Sequence, residues 1–173
     1  MKAIVISYSL TGNNDALAVS LAAALAAKHI RITENKPRSM SAIALDMLFN
    51  RTPKVALPAE NITEYDLALF VGPVWMGQVA SPLRAGFKQF GRQISKYAFV
   101  SISGGADGPN PKLGDELKKR LGKEPAYVVD LHIADLLPAD PKPTRDDTSN
   151  YRVTESDLKR LTEQVVGIIS SNS

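Results

Sequence analysis

Ala3-Ile4-Val5-Ile6-Ser7-Tyr8-Ser9-Leu10-Thr11-Gly12-Asn13-Asn14 is followed by an alanine- and leucine-rich segment from Asp15 to Lys28. An apolar run, a hydroxyl- and amide-rich turn and a helical segment therefore succeed one another without a break. Thr11, Asn13 and Asn14 are residue types that cap helices, and Gly12 lets backbone pass close to a ligand. The free N–H groups of a first helical turn face any anion that arrives there. The turn reads either as a phosphate cup or as a helix start with spare capping side chains, because a cap needs only one of them.

Outward from this stretch, apolar runs alternate with helical segments to the end of the chain. The runs are continuous rather than alternating, which points to a parallel sheet covered on both faces. Strands are expected at Lys2 to Tyr8, Ile30 to Glu34, Leu67 to Val71, Ala98 to Ile102 and Tyr127 to Ile133. The first helix carries Leu17, Leu21 and Leu25, with His29 at its end, where a cation suits the helix dipole. The second helix runs through Ile43, Leu45 and Leu48 and stops before Pro53. The third starts at Ser81-Pro82 as cap and first-turn proline and carries Leu83, Phe87 and Phe90. The fourth carries Leu113, Leu117 and Leu121. The last opens at Thr154 and carries Leu158, Leu161, Val165 and Ile169. The polar connection from Leu137 to Arg152 is long for a compact domain and is read as a wrapped surface segment, with a functional flap as the other possibility. The whole of residues 1–173 is expected to form a single domain.

In such a sheet the carboxyl ends of the strands share one edge, where ligands collect at the switch in strand order. Three unusual loops follow strands and should meet there. The first is Ser9 to Asn14. The second, Gly72-Pro73-Val74-Trp75-Met76-Gly77, offers a flat aromatic ring. The third, Ser103-Gly104-Gly105-Ala106-Asp107-Gly108, offers small residues and exposed backbone N–H groups. Each also has a plain structural reading: a helix cap, a core tryptophan, and a strand-end turn.

Two of these loops resemble the flavodoxin-like family. Its phosphate turn, Ser/Thr-x-Thr-Gly-x-Thr, is similar to Ser9, Thr11 and Gly12 with Asn13 in the variable position, while Asn14 departs from the final hydroxyl. The segment Asp66 to Pro82, read from Tyr65 as Tyr-Asp-Leu-Ala-Leu-Phe-Val-Gly-Pro-Val-Trp, is similar to the family's third strand and ring-binding loop. The resemblance implies a doubly wound three-layer α/β/α sandwich on a five-stranded parallel sheet of order 2-1-3-4-5, with FMN as ligand. It places the phosphate on Ser9, Thr11, Gly12, Asn13 and Asn14 and the ring beside Pro73, Val74, Trp75 and Gly77. The pyrimidine edge then meets Ser103, Gly104 and Gly105.

Composition removes other classes. With 44% hydrophobic and 23% charged residues the chain is an ordinary globular one. It has no cysteine, which excludes disulfides, thiolate nucleophiles and cysteine-ligated metals. There is no apolar run of about 18 residues to span a membrane and no charged, cleavable leader, so a cytoplasmic protein is expected. The net charge of +3 is spread along the chain, and Lys118-Lys119-Arg120 reads as a solvated helix face rather than a nucleic-acid site. Asp146-Asp147 reads as a loop pair, and no metal site is expected. A P-loop lysine motif is absent, and so are the acidic residues of a phosphoacceptor site.

The third loop carries no aromatic that could cover a flavin, and the chain is basic where shuttling flavodoxins are typically acidic. The expected function is therefore an FMN-dependent oxidoreductase passing electrons from NAD(P)H to a quinone-like or other small acceptor. A protein-to-protein electron carrier is the nearest alternative, and a flavin-free binding module of the same fold is an alternative of another class. No general acid or base is identified. Of the two histidines, His132, near the end of the fifth strand, is the better functional candidate.

Overall fold

Every residue of the first strand is buried, and successive side chains enter opposite cores. Ala3 and Val5 join one apolar cluster, and Ile4 and Ile6 join the other. This two-sided burial organises the computed structural model, which describes residues 1–36 and 38–171. In chain order the elements are β1 (Ala3–Ser7), α1 (Asn13–Ala24), β2 (Lys28–Arg31), α2 (Met40–Leu48), β3 (Leu67–Val71), β4 (Val74–Trp75) and β5 (Gln78–Val79). Then come α3 (Leu83–Phe90), β6 (Tyr97–Ser103), α4 (Leu113–Leu121), β7 (Tyr127–His132), a 3-10 turn (Ile133–Leu136), α5 (Arg145–Asn150) and α6 (Glu155–Ser170).

The main sheet has five strands in the order β2-β1-β3-β6-β7, all parallel. This is 2-1-3-4-5 once the separate β4–β5 hairpin is set aside. One face packs on α1 and α6 through Leu17, Leu21, Leu161 and Val165. The other packs on α3 and α4 through Leu83, Phe87, Phe90, Leu113 and Leu117. Among the described residues no helix is long and apolar enough to cross a membrane.

Several boundaries differ from the sequence reading. Helix α1 stops at Ala24, and Ala26 takes a left-handed turn with φ 48°, so β2 begins at Lys28 and His29 lies in a strand, not at a helix end. In α2 it is Ile43 and Met47 that face inward, whereas Leu45 and Leu48 face solvent. Pro82, not Ser81, occupies the cap position of α3, and the buried Ser81 hydroxyl instead donates to Asp46 at 3.4 Å. The connection after Leu137 contains α5, begun by a capping box in which Thr144 and Asp147 bond reciprocally. Asp147 is thereby explained as a cap partner, and its pKa lies below the ordinary carboxylate value because Thr144 donates to it.

His29 shares a 2.8 Å hydrogen bond with Ser7 beside β1. Burial first, and then nearby Arg31, lower its pKa from the ordinary 6.5, against a smaller opposite pull from Asp15. The unfolded chain then binds a proton that the folded chain refuses. Stability is complete above the unfolded value and falls as pH drops through the folded one. His29→Gln is expected to flatten the fall of Tm as pH drops below the ordinary imidazole value of 6.5, measured by thermal melts.

Candidate functional site

At the carboxyl edge of the sheet, the turn between β1 and α1 has no side-chain cap. Gly12 occupies the cap position at φ 97°, and neither Thr11 nor the two asparagines caps the helix. Ser9 Oγ accepts a hydrogen bond from the Gly12 N–H at 3.0 Å, which closes the turn on itself. A side chain added at Gly12 would meet nothing within 4 Å, so open space lies in front of the helix start. The Asp15 carboxylate in the first turn is bound by Arg31 through two hydrogen bonds of 2.5 and 2.9 Å.

The two asparagines do something the sequence did not suggest. Gly72 donates to the Val100 carbonyl where β3 runs out alongside β6. Two residues further on, Ile102 turns its N–H and C=O to the same side with no strand left to receive them. Asn14 fills that place: Ile102 N–H donates to its Oδ1 at 2.8 Å, and its Nδ2 donates to the Ile102 carbonyl at 2.9 Å. Asn13 does the same for the chain leading into α6, donating to the Tyr151 carbonyl at 3.0 Å and accepting from Val153 N–H at 3.2 Å. Both side chains are buried and each commits its amide oxygen and one N–H to backbone, in place of the phosphate contact expected from the sequence.

The β4–β5 hairpin carries the second loop. Met76 and Gly77 both have positive φ, the geometry of a tight two-residue turn. Trp75 stands edge-on to Tyr8, with centroids 5.9 Å apart and planes at 87°. The Tyr8 hydroxyl donates to Glu34 at 2.8 Å, Arg38 bonds Glu34, and Arg38 reaches Asp46 at 2.5 Å. Burial, and then the Glu34 bond, push the Tyr8 hydroxyl pKa far upward, so it stays a donor. This network steadies Tyr8 against Trp75. Its members are distant in sequence and show no motif, so nothing in the chain announced them.

The third loop is tied on three sides. Asn110 donates to the Gly77 carbonyl at 2.8 Å, Ala134 N–H donates to the Gly104 carbonyl at 3.0 Å, and Arg145 of α5 pairs with Asp107 at 2.8 Å. Val74, Gly77, Ser103, Gly104 and Gly105 line one cavity of about 460 Å³, together with Asp130 and α5. Ser9 and Gly12 line another of about 480 Å³, toward Arg31 and Glu34. Thr11, Asn13, Asn14, Pro73 and Trp75 line neither. The connection from Leu137 to Arg152 therefore contributes a wall to the edge through α5.

The sheet order agrees with solved structures. The chain superposes on a flavoprotein from Lactobacillus acidophilus in complex with FMN at TM-score 0.65, over 75% of this chain and 92% of the other, with 18% identity. The fold is flavodoxin-like. A candidate flavoprotein from Bacteroides eggerthii gives TM-score 0.62 over 95% of this chain and 98% of its own, at 17% identity. The Trp repressor binding protein from Bacillus subtilis gives 0.50 over 86% and 96%, at 16% identity. No protein-family model matches the chain, and no curated protein sequence does.

Within this flavodoxin-like frame, the sequence reading missed Asp130 and Ser101. They are register partners on β7 and β6, and each has a buried oxygen, Oδ1 and Oγ, without a hydrogen-bond partner among the described residues. His132 lies beside them. Its Nε2 is 3.2 Å from Asp130 Oδ2, and its Cβ lies directly under Gly105. The only sequence signal was a carboxylate and a histidine at alternate positions of a strand, on one face.

Proposed function

We propose that the protein binds FMN along this edge and acts as an oxidoreductase, taking electrons from NAD(P)H and delivering them to a quinone-like or other small acceptor. The observation that carries the reading is the uncapped start of α1, with Gly12 in left-handed backbone and open space before it. The N–H groups of Asn13, Asn14 and Asp15, with the Ser9 and Thr11 hydroxyls, form a donor set suited to a phosphate. No lysine or arginine lies in the turn, so the attraction comes from dipoles, about 0.3–2 kcal/mol for the helix end.

Asn13 and Asn14 support that set from behind by anchoring the turn to β6 and to the α6 approach. Pro73, Val74, Trp75 and Gly77 would flank the ring, and Ser103, Gly104 and Gly105 would meet its pyrimidine edge with backbone groups. When bound, FMN supplies hydride and single-electron transfer, and the protein supplies position and access. The third loop brings no aromatic over the ring, which favours direct entry of nicotinamide or a small acceptor over a purely shuttling role.

Purified protein is expected to show flavin absorption bands, or to acquire them with added FMN, and NAD(P)H should bleach them on a catalytic timescale. Bleaching only by a protein donor would make it an electron carrier. Failure to take up FMN would make it a binding module. Thr11 is exposed, so Thr11→Asp should leave Tm unchanged but weaken FMN binding about tenfold or more by placing a carboxylate against the phosphate. Unchanged affinity in a titration of flavin fluorescence would remove the phosphate from this turn.

A further inference from the structure

A third cleft, of about 560 Å³, lies between α2, α3 and α4 and shares no lining residue with the two cavities of the candidate site. Its charge is unbalanced: Arg84, Lys88, Lys119 and Arg120 face one carboxylate, Glu116. Arg84 is 2% exposed, yet every acceptor of its guanidinium is neutral, among them the Val79 carbonyl at 3.2 Å and Gln78 Oε1 at 3.1 Å. The carboxylates that act on it already hold other arginines, although Glu116 Oε2 is buried without a hydrogen-bond partner among the described residues. Glu116 accepts from Arg120 at 2.6 Å, and Asp46 holds Arg38.

Arg120 also donates to Gln78 Oε1 at 3.1 Å, so two guanidinium groups converge on a single uncharged oxygen. Lys88 and Lys119, at the mouth, make no ion pair among the described residues. A buried cation without a counter-charge is unfavourable unless something supplies one.

We propose that this cleft binds a small phosphate-bearing anion, independently of the flavin reading. Lys88, Lys119 and Arg120 donate to the phosphate, and Arg84 adds its field from below while its own N–H groups hold Gln78. Met47, Leu48 and Phe87 form an apolar wall beside this charge, which suits the organic part of a phosphorylated metabolite better than it suits free phosphate.

The test is a titration of the full chain with inorganic phosphate, pyrophosphate and AMP, followed by NMR at the Gln78 side-chain amide and the arginine Nε–H groups. Saturable shifts at Gln78 and Arg120 are expected with Kd of about 1 mM or tighter, weakening as salt is added. Tighter binding of AMP than of inorganic phosphate assigns the site to an organic phosphate, and equal binding assigns it to the free ion. The Lys88→Glu, Lys119→Glu double variant should weaken these shifts at least tenfold; the milder Lys88→Gln, Lys119→Gln pair provides the same comparison if the first folds poorly. Thr11→Asp should leave them intact. Shifts confined to residues 9–15, no shifts at all, or shifts that survive both double variants would overturn the proposal.

Discussion

Asn14→Ala is expected to destabilise the protein by about 2–6 kcal/mol, because it strands two buried backbone groups at about 1–3 kcal/mol each. The groups are the N–H and C=O of Ile102, which β3 is too short to serve and which the Asn14 amide receives. Asn14→Asp keeps an acceptor for the N–H but sets a carboxylate against the carbonyl, so it should cost at least as much. Asn14→Thr restores the hydroxyl of the flavodoxin phosphate turn, yet a single hydroxyl on so short a side chain cannot span both groups. Urea unfolding measures all three. A loss below about 0.5 kcal/mol for alanine would mean that water replaces the amide without cost. Any fall in FMN affinity should follow displacement of the turn rather than loss of a side-chain donor to the phosphate.

Gly105→Ala should be of similar size, at about 2–4 kcal/mol, combining left-handed backbone strain with overpacking. Gly105 has φ 73°, and a Cβ there would sit 2.4 Å from His132 Cβ. The obstruction is the root of the histidine side chain, Cβ at 2.4 Å and Cγ at 2.5 Å, so His132→Ala relieves only the second contact, whereas His132→Gly relieves both. A double-mutant cycle by denaturant unfolding should therefore show larger coupling with His132→Gly than with His132→Ala. Gly104→Ala provides the milder comparison, since its Cβ would meet the Thr148 hydroxyl at 3.0 Å, an atom that can rotate away. Loss of the third-loop geometry in Gly105→Ala should also move Ser103 and Gly104, seen as shifted backbone amide resonances.

The parallel sheet and its two covering layers were legible in the chain because burial on both faces leaves continuous apolar runs such as Leu67–Val71, and helices leave leucines at spacings of four. The three edge loops were legible because parallel strands place all their carboxyl ends together. Local patterning failed where a residue's partner lies elsewhere. His29 was assigned to a helix because the helical alanine pattern gives no sign of the left-handed turn at Ala26. Helix α5 is too short and polar for a periodicity to emerge, and Leu45 and Leu48 look like core residues until the helix is docked.

Ser9 to Gly12, between an apolar strand and an alanine-rich helix, determined by itself that a turn with donor groups stands at the edge of a parallel sheet, since strand, glycine and helix signals are properties of neighbouring residues. Only the tertiary structure decided what Asn13 and Asn14 do. Their hydrogen-bond partners lie 138 and 88 residues away, and the need for Asn14 arises solely because β3 ends before β6 does.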